Sequence, residues 1–295
     1  MNQLIKVGKD TSYIQGFTNV GVVSLGNGQV CLIDTGIGDD DAHVICENLD
    51  NNHLIPAFII NTHCHADHVG GNGWLQNIYH CPAYSVATEI FLSEYTDVAC
   101  SFLYGGYPPE KMQETLLRAK VSEAYDINKF DLPSGFKFER IDGHSFAMIA
   151  VKTPDDIWFI ADSVIDPSIL RLHHMSYNYN ISKYLESLDI LGGLRGDLFL
   201  PSHARLTENI DYLIRFNRDN IRHVTEDIME VCKKPKNHDE IFKALYDKWQ
   251  IQISYRSYSV MGSALRSLLT YMLDSDMLEM KVKDNYLLWH SKENK

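Results

Sequence analysis

The run Asn61-Thr-His63-Cys-His65-Ala-Asp67-His68-Val-Gly-Gly71 places three imidazoles and a carboxylate within six residues. Imidazole nitrogens beside carboxylate oxygens suit zinc, and iron or manganese accept the same set. Residues two apart on extended chain point the same way, so His63 and His65 can reach one ion while Cys64 turns aside. Gly70-Gly71 lets the backbone turn, and the helix that follows places Asp67 and His68 at its start, aimed at a second ion. Four ligands do not complete a two-metal site. Three further candidates stand just after short apolar runs: His144 in Asp-Gly-His-Ser, Asp162 in Phe159-Ile-Ala-Asp-Ser163, and His203 in Leu200-Pro-Ser-His-Ala204.

The elements that must carry these residues follow an α/β rhythm over the first two hundred residues. Val20 to Leu25 and Gln29 to Asp34 read as paired strands around Gly26-Asn27-Gly28. Asp41 to Leu49 reads as a helix, and Ala57 to Thr62 as the buried strand that delivers His63. Phe136 to Ile141 alternates apolar and polar residues as a half-buried strand does. Phe146 to Lys152 and Ile157 to Ala161 form a hairpin, and Asp197 to Pro201 a last short strand. Between Ser93 and Asp131 lies an insertion holding Ser101-Phe-Leu-Tyr-Gly-Gly-Tyr-Pro-Pro109, whose aromatics and double glycine suggest a lid or pocket wall.

The order and spacing of five motifs, beginning with Leu-Ile-Asp34-Thr-Gly and ending at His203, resemble those of the metallo-β-lactamase superfamily over roughly residues 12 to 215. The resemblance implies an α/β fold, a four-layered αβ/βα sandwich with two metals at one edge. It implies that His63, His65 and His144 hold the first ion, that Asp67, His68 and His203 hold the second, and that Asp162 bridges them. Asp67 and Asp162 are then the catalytic carboxylates. Asp34 looks like the structural acid that hydrogen-bonds the metal loop rather than binding metal. Other histidines (His43, His53, His80, His223, His238, His290) are read as surface or packing residues. His173-His174 follow Asp162 closely enough for a pocket role, and Cys64 is read as a buried small side chain.

Two divalent ions sharing a carboxylate and a water lower that water's pKa from 15.7 toward ~7 and give hydroxide at neutral pH. That chemistry hydrolyses an ester, thioester, lactone, amide or phosphodiester without a Ser or Cys nucleophile. Asp162 stands where the antibiotic-hydrolysing members carry Cys or Ser, which argues against β-lactams. Ser163 to Asn180 lacks the glutathione-binding segment of the glutathione thioesterases, and Gly-His-Ser-Phe-Ala-Met replaces the commoner Gly-His-Thr-Pro-Gly. The preferred expectation is a small-molecule ester, thioester or lactone. The alternatives are a phosphodiesterase or ribonuclease of the same fold, and a persulfide dioxygenase whose single iron is held by His63, His144 and Asp162.

The tail favours the ribonuclease alternative, and its charge opposes it. Asn237-His-Asp-Glu240 is a capping box opening a helix from Ile241 to Trp249. A second helix runs near Val260 to Leu273, and Met280 to Trp289 reads as a hairpin around Asp284-Asn285. Helix, helix, hairpin is the outline of a winged helix, so residues 216-295 form a winged-helix-like region behind a catalytic domain of residues 1-215. The chain of 295 residues has a net charge of −12, made of −13 up to Arg215 (14 Lys+Arg, 27 Asp+Glu) and +1 beyond it (13 against 12). Arg266 is the single cation between Val260 and Leu273. A nucleic-acid groove needs clustered cations, so nucleic acid is not an expected partner. A small-molecule substrate is, with a homodimer possible. Six cysteines without a CxxC pair suggest reduced thiols. The absence of a ~20-residue apolar run, and an opening segment without an apolar core, suggest no membrane span and a cytoplasmic location.

Overall fold

The computed structural model describes residues 3–115 and 118–292. Seven strands form one sheet in chain order: β1 (Leu4–Lys6), β2 (Thr11–Ile14), β3 (Val20–Gly26), β4 (Gln29–Ile33), β5 (Ile55–Ile60), β6 (Ala83–Ser85) and β7 (Tyr125–Asp126). The first four pair antiparallel; β4 to β7 pair parallel. A second sheet contains β8 (Lys137–Arg140), β9 (Ile149–Lys152), β10 (Ile157–Phe159) and β11 (Leu198–Leu200), with β10 and β11 parallel. The turn between β3 and β4 has positive φ at Gly26, Asn27 and Gly28, as the turn residues suggested.

Strand periodicity makes the layers. On the first sheet Val22, Leu32 and Ile59 face outward and are covered by Ile45 and Leu49 of α1 (Asp39–Asn51) and Leu75 of α3 (Asn72–Tyr79); α2 (Ala66–Val69) lies between these two helices in the chain. Their neighbours Val23, Cys31, Ile33, Phe58 and Ile60 face inward and meet Ile149, Val151, Ile157 and Phe159 of the second sheet. Met148, Ala150, Trp158 and Ile160 point the other way, toward a second helical layer. Alternation along each strand therefore fills three interlayer spaces, and the result is the expected αβ/βα sandwich.

The remaining helices are α4 (Ala87–Glu94), α5 (Thr96–Tyr104), α6 (Glu110–Thr115), α7 (Pro167–His173), α8 (Ile181–Gly193), α9 (Asp211–Val231), α10 (His238–Trp249) and α11 (Tyr255–Asp274). Part of the aromatic stretch of the insertion, Ser101 to Tyr104, is the end of α5, which stops at Gly105 in the left-handed region. Leu116 and Leu117 of the insertion lie outside the described residues. The 21-residue α9 escaped the sequence reading, although its buried positions Ile214, Asn217, Ile221, Val224 and Ile228 repeat at helical spacing. A buried asparagine breaks the apolar stripe that would have revealed it. Residue 215, the expected end of the catalytic domain, lies within this helix.

The tail shows the helix, helix, hairpin order. The Asn237–Glu240 capping box is formed from both sides, at 3.0 and 2.9 Å. The second helix begins at Tyr255, five residues earlier than expected, because Ser254 and Ser257 cap it with short hydroxyls instead of the Ser-x-x-Glu pattern. Two strands, β12 (Leu278–Lys283) and β13 (Tyr286–Ser291), close on Asp284 and Asn285, both at positive φ as a two-residue hairpin turn requires. Ile241, Leu245, Leu268 and Met272 join one apolar cluster with Trp158, Leu188 and Ile221. Among the described residues no helix is long and apolar enough to cross a membrane, and all six cysteines are free.

Candidate metal centre

The C-terminal ends of parallel strands meet at one edge of the sandwich, the usual place for a site in open α/β sheets. Pairing of β4 with β5 places Asp34 and the His63 loop side by side: Asp34 N–H donates to the Ile60 carbonyl at 2.9 Å. Pairing of β10 with β11 continues past the strands, with Ser202 N–H donating to the Ala161 carbonyl at 3.0 Å, so Asp162 and His203 emerge as neighbours. Ala161 and Asp34 both sit at positive φ (48° and 60°), a conformation that costs non-glycine residues ~1 kcal/mol or more and recurs where a chain is bent into a site.

Asp67 and His68 lie inside the four-residue helix α2, before Gly70-Gly71 rather than after it. Gly70 has ordinary helical φ, so it does not provide the turn expected of it. Its role is space: a Cβ there would overlap the backbone of Ile37 and Ala66.

The seven expected residues converge. His63, His65, His144 and Asp162 form one group, and Asp67, His68, Asp162 and His203 a second, with donor atoms in each group within 4.8 Å of one another. His65 Nδ1 is 3.0 Å from both His63 Nε2 and His144 Nε2. Asp162 belongs to both groups: its Oδ1 is 3.2 Å from His68 Nε2, and its Oδ2 is 3.3 Å from His144 Nε2 and 3.3 Å from His203 Nε2. Asp67 Oδ2 is 3.1 Å from His203 Nε2.

The imidazoles are aimed by their other nitrogens. His68 Nδ1–H donates to Asp34 Oδ2 at 2.8 Å, and Asp34 also accepts from Thr62 N–H and Thr62 Oγ1, each at 2.8 Å. Asp34 thus holds the loop, as expected of it. His144 Nδ1–H donates to the Tyr177 carbonyl at 3.0 Å and His203 Nδ1–H to the Phe17 carbonyl at 2.8 Å. Fixing Nδ1–H in this way leaves Nε2 as the free donor atom.

Electrostatics show a buried cluster short of positive charge. Burial pulls His63 well below the usual imidazole range, and neighbouring imidazoles add to that. Burial also brings His144 down to about 4. His68 and His203 feel the same desolvation, but the carboxylates outweigh it: Asp162, Asp67 and Asp34 hold His68 well above normal, and Asp162 and Asp67 push His203 up to about 10. Asp162 is held far below the carboxylate range; burial opposes this, and His203, His68 and His144 overcome it. Two buried atoms, His68 Nε2 and Asp162 Oδ1, have no hydrogen-bond partner. Orphaned polar atoms in a core are costly, and two facing each other at 3.2 Å fit ligands of a cation.

Several residues that build this site carried no sequence signal. Thr18 Oγ1 donates to Asp67 Oδ2 at 3.1 Å, from the segment that also supplies the Phe17 carbonyl. Glu89 of α4 is wholly buried and ties two ligand loops together. It accepts from Cys64 N–H at 3.0 Å, from Ser145 Oγ at 2.9 Å and from Ala147 N–H at 2.6 Å. Cys64 itself is buried beside Ser145, and burial followed by Glu89 pushes its thiol up. Replacing Glu89 with Ala strands two backbone N–H groups at ~1–3 kcal/mol each, so a loss of about 2–6 kcal/mol is expected in chemical denaturation. Glu89→Gln, which keeps one carbonyl acceptor, should lose less. Wild-type stability in Glu89→Ala would mean that solvent or a side chain replaces the carboxylate at no cost.

The cluster opens into a cavity of about 850 Å³. His173 lines it, whereas His174 stacks flat on Trp249 at 5.2 Å and serves packing. Leu103 and Ala119 of the insertion line it too, which makes the insertion a pocket wall.

Residues 13–203 match the family model of the metallo-beta-lactamase superfamily. Two similar solved structures extend over nearly the whole chain. A beta-lactamase domain protein from Burkholderia ambifaria has a TM-score of 0.77 at 16% identity, over 98% of this chain and 94% of its own. A metallo-beta-lactamase family protein from Thermus thermophilus has a TM-score of 0.70 at 15% identity, over 99% and 98%. DIM-1 metallo-beta-lactamase matches with a TM-score of 0.57 at 15% identity, over 76% of this chain and 98% of its own. Identities this low speak to the fold alone. No curated protein sequence matches the chain.

Proposed function

The chain belongs to the metallo-beta-lactamase superfamily, and from that premise we propose that it is a dinuclear metal-dependent hydrolase of a small-molecule ester, thioester or lactone. The observation that carries the reading is the sharing of Asp162 between two donor groups whose facing atoms His68 Nε2 and Asp162 Oδ1 are otherwise unpartnered. In this reading His63, His65 and His144 hold one ion and Asp67, His68 and His203 the other. Zinc suits this nitrogen-rich set, with iron or manganese as the alternatives. Bound divalent ions supply Lewis acidity and acidify water toward pKa ~7.

The protein's own part is positional. Asp162 faces both groups, its Oδ1 toward His68 and its Oδ2 toward His144 and His203, and would fix their spacing. Asp34, through His68 Nδ1–H, and the Tyr177 and Phe17 carbonyls, through His144 and His203, hold the rings so that no ligand must reorient during turnover. The adjoining cavity, within the ~300–1,000 Å³ typical of small-molecule sites, holds the substrate against the cluster.

Elemental analysis of the chain purified under metal-replete conditions should find about two ions per chain. At most one tightly bound ion would sink the dinuclear reading, and a single iron would favour the dioxygenase alternative.

A further inference from the structure

The cavity beside the cluster is lined, apart from the cluster itself, by segments that include two helices of the catalytic part and the tail. α5 contributes Ala99 and Leu103, α7 contributes Ile169, and the tail contributes Ile251, Val260 and Met261. All six are uncharged and apolar. They are half-buried except Ile169, which is exposed, so they present carbon surface to the cavity.

Several polar residues among the lining are already committed locally. Ser254 Oγ accepts from Ser257 N–H at 3.1 Å in the α11 capping box. Asp166 Oδ1 accepts from Ser168 N–H at 2.8 Å and from Ser168 Oγ at 2.6 Å to cap α7. Arg118 is paired with Asp97 and donates to Gln113. His173 and Arg205, two lining residues whose ionisable groups could meet a ligand, are exposed. A charged substrate would find few uncommitted polar partners along this wall, whereas a hydrocarbon chain would exclude water from it.

We propose that this chamber takes the unbranched apolar arm of an acyl group, so that the substrates are acyl esters or thioesters with several methylenes beyond the scissile carbonyl. Its catalytic half rests on the hydrolase reading: the carbonyl lies at the Asp162 cluster and the arm extends toward Ile251, Val260 and Met261. The tail then acts as a specificity element and leaves the chemistry to the sandwich. Buried methylenes set the expected selectivity, each strengthening binding by up to about fourfold.

The test is titration calorimetry of the metal-loaded, full-length chain with acetate, butyrate, hexanoate and octanoate. The products themselves report on the chamber without requiring turnover. Affinity should rise severalfold with each two-carbon step, and Met261→Asp should flatten the rise between butyrate and octanoate. Ile251→Asn serves as the second wall variant should Met261→Asp fail to fold by circular dichroism. Equal affinity along the series, or a rise that survives in a folded wall variant, would overturn the proposal. Turnover of p-nitrophenyl acetate and octanoate separates the two readings. Chain-length-dependent binding without hydrolysis would refute the hydrolase reading alone, and hydrolysis of both esters without chain-length dependence in binding would refute the chamber alone.

Discussion

Replacing Asp162 with Ala is expected to lower kcat on any ester, thioester or lactone that the wild-type chain hydrolyses by about a thousandfold or more, ~4 kcal/mol of barrier. Asp162 is the one side chain common to both donor groups, 3.2 Å from His68 and 3.3 Å from both His144 and His203. Without it, neither group keeps its fourth donor and nothing fixes the spacing between them. The fold should survive. Asp34 still holds His68 and Thr62, the strand pairing on either side is backbone to backbone, and Asp162 lies outside the apolar layers. Steady-state kinetics together with elemental analysis decide the matter. Turnover within tenfold of wild type would show that the two groups do not act as one centre through this carboxylate.

Deleting the chain from Lys236 onward should cost stability rather than nucleic-acid affinity. The deletion removes Ile241, Phe242, Leu245, Leu265, Leu268, Leu269 and Met272, each at most 2% exposed, from a cluster that also contains Trp158, Leu188, Leu191, Ile221 and Ile228. Each such side chain contributes ~1.5–3 kcal/mol when fully buried, and the surviving face of α9 and α8 would be left in water. A fall in Tm of more than ~10 °C, or aggregation at purification, is the expected result. Binding to single-stranded RNA depends on cations that displace counterions, with log K falling by ~0.7 per neutralised phosphate as log salt rises. The tail carries a net charge of only +1 from residue 216 onward. The full-length chain should therefore bind RNA negligibly. Sub-micromolar, salt-sensitive RNA binding that disappears in the truncated chain would promote the nuclease alternative over the small-molecule reading.

What the sequence alone supplied was the set of seven side chains that converge at one edge of the sandwich and, through its resemblance, the order of the layers. His63, His65, Asp67 and His68 are close in the chain, so local backbone geometry already limits where they can point. His144, Asp162 and His203 were legible because each follows a segment that reads as a short strand, and strand ends gather at one edge of a layered sheet. The layering was implied by the resemblance, and alternation in Val22-Val23 and Met148-Ile149-Ala150-Val151 is how the chain builds it: a period of two assigns each residue to one face.

Tertiary structure decided what holds and surrounds that set. Glu89 looks like any acidic residue on a surface helix, and only packing of α4 behind two loops makes it the acceptor for Cys64, Ser145 and Ala147. The Tyr177 and Phe17 carbonyls that orient His144 and His203 are backbone atoms, which every residue possesses and no sequence pattern marks. Gly70 was read for its flexibility and is needed for its missing Cβ, because the close approach of Ile37 exists only in three dimensions. The apolar wall of Ile251, Val260 and Met261 lies roughly fifty residues beyond His203, on α11 and the segment before it, and the periodicity of that helix says only that one face is buried. Which surface that face meets is set by long-range packing, and so the residues that would choose a substrate could not be read from the chain that carries them.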